Sequence, residues 1–174
     1  MQKQVLSAGG GIGGLAAALG SSRAGWEVRL FERAAEFTEL GAGVQIGPNV
    51  VRRLQAWGLQ SALQAVAAFP ERLQVRSALT GAELAALRLG NTAIERYGAA
   101  YATIHRADLH GLLLDALRER TGVHLNLGHA IVHHAQDGGV VTVRVTRHGP
   151  GSDIEGGAQD LLIEGDALIG ADGL

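Results

Sequence analysis

Two periods run through the apolar positions of this chain, one of two residues and one of about 3.6. Val5-Leu6-Ser7-Ala8 is a short apolar run and predicts a strand, with Ser7 as its only polar interruption. Ile12, Leu15, Ala16 and Leu19 recur at helical spacing, and Gly25 is placed to end that helix. Gly20-Ser21-Ser22 weakens its second half, because an interior glycine costs about 1 kcal/mol relative to alanine. Val28, Leu30 and Phe31 predict a second strand, closed by Glu32. Val50, Val51, Leu54 and Trp57 give a helix an apolar face, with Pro48 in its first turn, Gly58 as its stop and Arg52 and Arg53 facing water.

Further on, Ser61 to Phe69 predicts a short helix stopped by Pro70. Leu73–Leu79 and Glu83–Leu89 predict two strands around the Thr80-Gly81 turn. Tyr101 to His105 predicts a strand. Leu109, Leu112, Leu113, Ala116 and Leu117 then mark a strong helix, with Arg118 and Arg120 in its last turn and Gly122 as its cap. Val123–Leu127 is a short strand. Ala130–Gln136, the turn Asp137-Gly138-Gly139 and a strand over Val141, Val143 and Val145 follow as an antiparallel meander. Gly149 to Gly157 is expected as a loop, Gln159–Ile163 as a returning strand, and Ala167–Gly170 as a buried strand running into Ala171-Asp172-Gly173.

This order predicts an α/β fold: a Rossmann-like parallel sheet with an antiparallel meander. Residues 1–70 and 101–174 are assigned to it, and the strands of 71–100 interrupt the βαβ order as an insert belonging to a second layer or domain.

Composition narrows the function. The chain suffices for one domain with a core but is short for a two-domain enzyme. Its net charge of −2 favours neither nucleic acid nor an anionic membrane surface. The absence of cysteine excludes disulfides, thiolate metal sites and cysteine nucleophiles. No apolar run has bilayer-spanning length, and no signal peptide is expected; the absence of cysteine fits a cytoplasmic protein.

The candidate chemistry begins at Gly9-Gly10-Gly11-Ile12-Gly13-Gly14, where Gly9, Gly11 and Gly14 fall on G-x-G-x-x-G spacing. Gly9 permits a tight turn, Gly11 lets a pyrophosphate approach the backbone, and Gly14 lets the helix pack closely on the sheet. The helix N-terminus offers unpaired N–H groups and a partial positive charge. Glu32 lies roughly 20 residues on, at a strand end, placed to hold a ribose hydroxyl. Glycines 41, 43 and 47 allow close backbone approach, although the surrounding stretch reads equally as an ordinary connection into a helix. Of the seven histidines, His129, His133 and His134 are densest, but they lack a carboxylate at ligand spacing and read as exposed or hydrogen-bonded strand residues. No serine sits in a nucleophile elbow. Arg106, standing before a helix, reads as a surface or capping residue.

Three separated motifs together resemble the N-terminal part of single-component FAD-dependent aromatic hydroxylases, of the salicylate hydroxylase and 3-hydroxybenzoate 6-hydroxylase group. They are Gly9–Leu15 with Val28–Arg33, then Glu39–Asn49 with His105–Leu109, and finally Asp166–Gly173. The resemblance implies that Gly9, Gly11 and Gly14 receive the FAD pyrophosphate with the N–H groups of Ile12 and Gly13. It implies Glu32 on the adenosine ribose, Arg33 beside the adenine and Ile131 touching the adenine through its backbone. Val44 and Gln45 would lie near the flavin end. Arg106 would reach the phosphate or ribityl region, and Asp172 would bind FAD and affect use of the nicotinamide cofactor. NADH or NADPH, O2 and a small aromatic acid are the implied co-substrates, and a homodimer is allowed.

The resemblance stops short of a whole enzyme. Such hydroxylases are about twice this length, and their second FAD motif, Gly-Asp-Ala, has no counterpart here, nor does most of the substrate domain. The piece alone is therefore expected to be inactive as a hydroxylase. An NAD-dependent dehydrogenase fragment using Glu32 on the NAD ribose, and a non-catalytic nucleotide-binding module, are the competing readings. The meander argues against the first of these, since a nicotinamide Rossmann domain continues with parallel βα units.

Overall fold

The structure, a computed structural model, describes residues 3–37, 41–147 and 160–173. In chain order its elements are β1 (Gln4–Ala8), α1 (Ile12–Arg23), β2 (Glu27–Glu32), β3 (Gly43–Ile46), α2 (Pro48–Ala56) and α3 (Gln60–Val66). There follow β4 (Arg72–Arg76), β5 (Glu83–Arg88), α4 (Gly90–Tyr97), β6 (Ala102–His105) and α5 (Arg106–Arg118). The last five are β7 (Val123–Leu127), β8 (His129–Asp137), β9 (Val140–Arg147), β10 (Asp160–Gly165) and β11 (Ala167–Gly170). The loop expected over Gly149–Gly157 lies outside the described residues. The chain divides into two compact units, residues 1–39 with 113–174, and residues 40–112. The insert expected at 71–100 lies within the second unit.

The first unit is built on a parallel sheet of order β11-β1-β2-β7. Alternation along β1 and β2 decides what each face meets. Leu6 and Phe31 join Val141, Val143, Val145 and Ile163 in one buried cluster, with Ile131 and Leu168 packed against it. That cluster is the contact between the parallel sheet and the antiparallel meander β10-β9-β8. Val5, Ser7, Val28 and Leu30 point to the other face, where α1 buries Leu15, Ala18 and Leu19. The apolar–polar alternation expected over residues 141–146 is met: the three valines are buried and Arg144 is exposed.

The interior Gly20-Ser21-Ser22 does not break α1. Ala24 N–H closes its end on the Gly20 and Ser21 carbonyls, and Gly25 follows with φ +87°. Arg120, expected to serve the last turn of its own helix, instead donates from Nε to Ser22 Oγ (3.1 Å) and from Nη2 to the Ser22 carbonyl (3.3 Å). It therefore serves the C-terminus of α1. Gly122 is likewise not the cap of α5, which ends at Arg118. Its φ of +73° turns the chain into β7, and its carbonyl accepts the N–H of Val28 at 2.9 Å.

In the second unit, β3 and β6 form an antiparallel ribbon, and β4 and β5 a hairpin closed by Gly81 at φ +71°. The stretch 41–49 is thus more than a connection, because it contains β3. Pairing with β6, far along the chain, makes a strand of Gly43-Val44-Gln45-Ile46. Helix α4 was not expected. Its sequence signal is Gly98, which takes φ +77° just past the last turn and donates its N–H to the Ile94 carbonyl at 2.8 Å. Val50, assigned to the apolar face of α2, is exposed, while Val51 and Leu54 are buried as expected.

Candidate functional site

The glycine turn between β1 and α1 is shaped by collisions that side chains would cause. Gly9 has φ +97°, and a Cβ there would strike the Ala171 carbonyl, whose carbon would lie 2.6 Å away. Gly14, in the first turn of α1, rests on the carbonyl of Gly9, whose carbon would be 2.9 Å from a Cβ. Gly14 therefore serves close packing, as expected, although its first contact is the turn itself. Gly11 and Gly13 differ: a Cβ at either would meet nothing within 4 Å. Gly11 is the N-cap of α1, no side chain caps that helix, and its first turn carries no acidic residue. The mouth of α1 thus carries the backbone N–H groups of Ile12 and Gly13, which have no partner within the helix, with open space beside the Cα atoms of Gly11 and Gly13, a geometry suited to phosphate oxygens.

Glu32 closes one side of this mouth. Its Oε2 accepts the Gly10 N–H at 2.6 Å, and its Oε1 accepts the Ala34 N–H at 2.8 Å. Gly10 itself is buried under the Phe37 ring, 2.5 Å from where a Cβ would stand. The carboxylate therefore ties the glycine turn to the segment after β2. Each oxygen keeps a further lone pair for an outside donor such as a ribose hydroxyl. Sequence reasoning gave Glu32 the ribose and missed this second duty. Its signal is Gly10, a glycine that the G-x-G-x-x-G pattern does not require.

A cleft of about 150 Å3 opens here, and its lining includes Gly9, Glu32, Arg33, Ile131 and Asp172. Five predicted residues from four distant stretches thus share one wall system. Ala8, Phe31 and Ala130 complete it and were not foreseen, being apolar residues with no chemical signature. Asp172 arrives because the Ala171 N–H donates to the Ala8 carbonyl at 2.8 Å, which holds the end of β11 beside the end of β1.

Val44, Gln45 and Arg106 belong to the second unit. Val44 pairs with Ile104 and Gln45 with Thr103, so the two neighbouring side chains lie on opposite faces of the ribbon. The half-buried Val44 side chain shares a face with the buried Ile46, Ala102 and Ile104, on the side away from Gln45. Gln45 lies on the exposed face, where its Oε1 accepts the Tyr101 hydroxyl at 2.5 Å. Arg106 opens α5 and donates its backbone N–H to the Ala42 carbonyl at 3.2 Å.

His129 Nδ1 lies 2.7 Å from the Leu127 carbonyl, and the rings of His133 and His134 are 6.5 Å apart. Among the described residues no three histidines or acids are arranged to hold a metal ion, and no helix is long and apolar enough to cross a membrane.

A family described as FAD binding domain matches residues 2–174. The chain is 38% identical over 170 residues to 3-hydroxybenzoate 6-hydroxylase of Polaromonas naphthalenivorans strain CJ2, covering 98% of this chain and 40% of that protein. It is 43% identical over 109 residues to 6-hydroxynicotinate 3-monooxygenase of Bordetella bronchiseptica, covering 63% of this chain and 28% of that protein. Among solved structures, it is similar to the flavin-dependent monooxygenase PieE in complex with FAD and substrate. The TM-score is 0.78 and the identity 28%, over 99% of this chain and 30% of that one. Klebsiella pneumoniae HpxO, complexed with FAD and uric acid, matches at TM-score 0.78 and 26% identity, over 98% of this chain and 39% of that one. The chain therefore spans two fifths or less of the length of each of these proteins.

Proposed function

The chain belongs to the FAD binding domain family, and on that premise we propose that it is the FAD-binding part of a monooxygenase hydroxylating a phenolic or benzoate-type aromatic with NAD(P)H and O2. Its relatives are hydroxylases and monooxygenases named for hydroxybenzoate and hydroxynicotinate, which supports a small hydroxylated aromatic acid as substrate class. The observation that carries the reading is the open, uncapped mouth of α1 at Gly11, flanked by the Glu32 carboxylate.

In this proposal the N–H groups of Ile12 and Gly13 take the pyrophosphate, and Gly9 and Gly14 keep the turn tight enough to present them. Glu32 holds the ribose with its remaining lone pairs. Arg33 and the Ile131 backbone border the adenine, and Asp172 closes the cleft. Val44 (through its backbone), Gln45 and Arg106 serve the flavin and ribityl end. FAD, when bound, supplies the transfer of reducing equivalents from the nicotinamide cofactor to oxygen, and the protein contributes orientation and exclusion of water. We assign residues 71–100 to the substrate domain. We extend the proposal to a cytoplasmic location, with which a chain free of cysteine is consistent.

The test is the identity of the bound nucleotide. Protein purified from cells should be yellow and release FAD on denaturation. Colourless protein that binds NAD tightly and ignores FAD would overturn the proposal.

A further inference from the structure

The β3–β6 ribbon sorts its side chains sharply. Ile46, Ala102 and Ile104 are buried on one face. The other face carries Gln45, Thr103 and His105, with Tyr101 continuing the same row two residues before Thr103. Gly43 opens a gap in that row, since a Cβ there would meet nothing within 4 Å. The result is a polar row, exposed at Gln45 and His105, half-buried at Tyr101 and Thr103, and open at Gly43.

A glutamine carboxamide offers one acceptor and two donors, and its last torsion is soft, so an exposed one presents either end. Here the choice is made. The Tyr101 hydroxyl donates to Gln45 Oε1 at 2.5 Å, which anchors the carboxamide by its oxygen and leaves Nε2 on the side away from Tyr101. We propose that Tyr101 is a positioning residue that fixes Gln45 as a hydrogen-bond donor to an acceptor atom of the flavin ring. This rests on the reading of Gln45 as a flavin-end residue. It adds a residue that no motif marks, together with a direction for the hydrogen bond.

The experiment compares two ligands on the full 174-residue chain. FAD carries the ring, whereas ADP-ribose carries only the adenosine, pyrophosphate and a ribose. Both are titrated calorimetrically into the wild type, Tyr101→Phe, Gln45→Ala and the double variant. Tyr101→Phe should weaken FAD about fivefold, the usual scale for one hydrogen bond, and leave ADP-ribose unchanged. Gln45→Ala should do the same, and the double variant should be no worse than Gln45→Ala, because the tyrosine acts only through the glutamine. Unchanged FAD affinity in Tyr101→Phe, or equal loss of both ligands, would overturn the inference. Should Tyr101→Phe not fold, Gln45→Glu decides, since its carboxylate still accepts from Tyr101 but offers no donor. That variant should weaken FAD alone, and unchanged affinity would again overturn the inference. A wild type that binds neither ligand would instead defeat the proposed function itself.

Discussion

Gly9 and Ala171 are packed backbone to backbone: a Cβ on the glycine would lie 2.6 Å from the carbonyl carbon of Ala171. This contact brings together the first and last motifs of the chain. It is reinforced by the Ala171 N–H on the Ala8 carbonyl at 2.8 Å. The end of β11 can therefore deliver Asp172 to the cleft only while position 9 has no side chain.

The glycines of the turn should separate into two kinds. Gly14→Ala drives a methyl group into the Gly9 carbonyl and should cost about 3 kcal/mol or more in urea unfolding. Gly11→Ala meets open space and should cost less than about 1 kcal/mol. It should nevertheless weaken FAD by at least about tenfold, because its methyl group takes the place of the pyrophosphate. Equal effects of the two substitutions on stability would contradict the assignment.

Glu32→Gln should lower both stability and affinity. The amide keeps one acceptor oxygen and turns an NH2 group toward a backbone N–H that the carboxylate now satisfies. Losing one charge-assisted bond and leaving one donor unpaired should cost about 1–3 kcal/mol without ligand. A variant with wild-type stability that merely loses FAD would show that the clamp on Gly10 and Ala34 carries no weight.

Ser7→Ala should be neutral or stabilising by up to about 1 kcal/mol. The Ser7 hydroxyl is fully buried and its Oγ has no hydrogen-bond partner, so the hydroxyl adds a desolvation cost to an otherwise apolar strand. Chemical denaturation measures this directly, and a loss above about 1 kcal/mol would reveal an interaction of that hydroxyl.

The hairpin β4–β5 exposes Leu73, Val75, Leu84 and Leu87, with Val75 at 53% and Leu84 at 67%. Such a patch favours association. Replacing Leu84 and Leu87 with serine should reduce self-association of the chain in light scattering and leave FAD titration unchanged. Increased aggregation would show instead that these leucines support the unit's own fold.

The parallel sheet and meander were legible because their signals are local. Val141, Val143 and Val145 alternate cleanly, and the glycine turn carries its own spacing. β3 was hidden because it is only four residues long, is flanked by Gly41 and Gly47, and pairs with a strand contributed from residues 102–105. α4 was hidden because it is only eight residues long and buries only Ala93, while its other large apolar residues, Ile94 and Tyr97, stay exposed. At the site, Gly9, Glu32, Arg33, Ile131 and Asp172 were all foreseen and share one cleft. The Glu32–Gly10 bond was not, because a carboxylate's backbone partners depend on how the chain comes back past it. The Tyr101–Gln45 bond escaped for the same reason.

The most direct measurement is titration of FAD into the cofactor-free chain, followed by flavin fluorescence, with Gly11→Ala as the paired control. Saturable quenching at one FAD per chain, lost or much weakened in a folded Gly11→Ala, is the predicted result. A folded wild-type chain that leaves flavin fluorescence unchanged at any concentration, or an equally strong response from Gly11→Ala, would contradict the claim that the mouth of α1 receives the cofactor's phosphates.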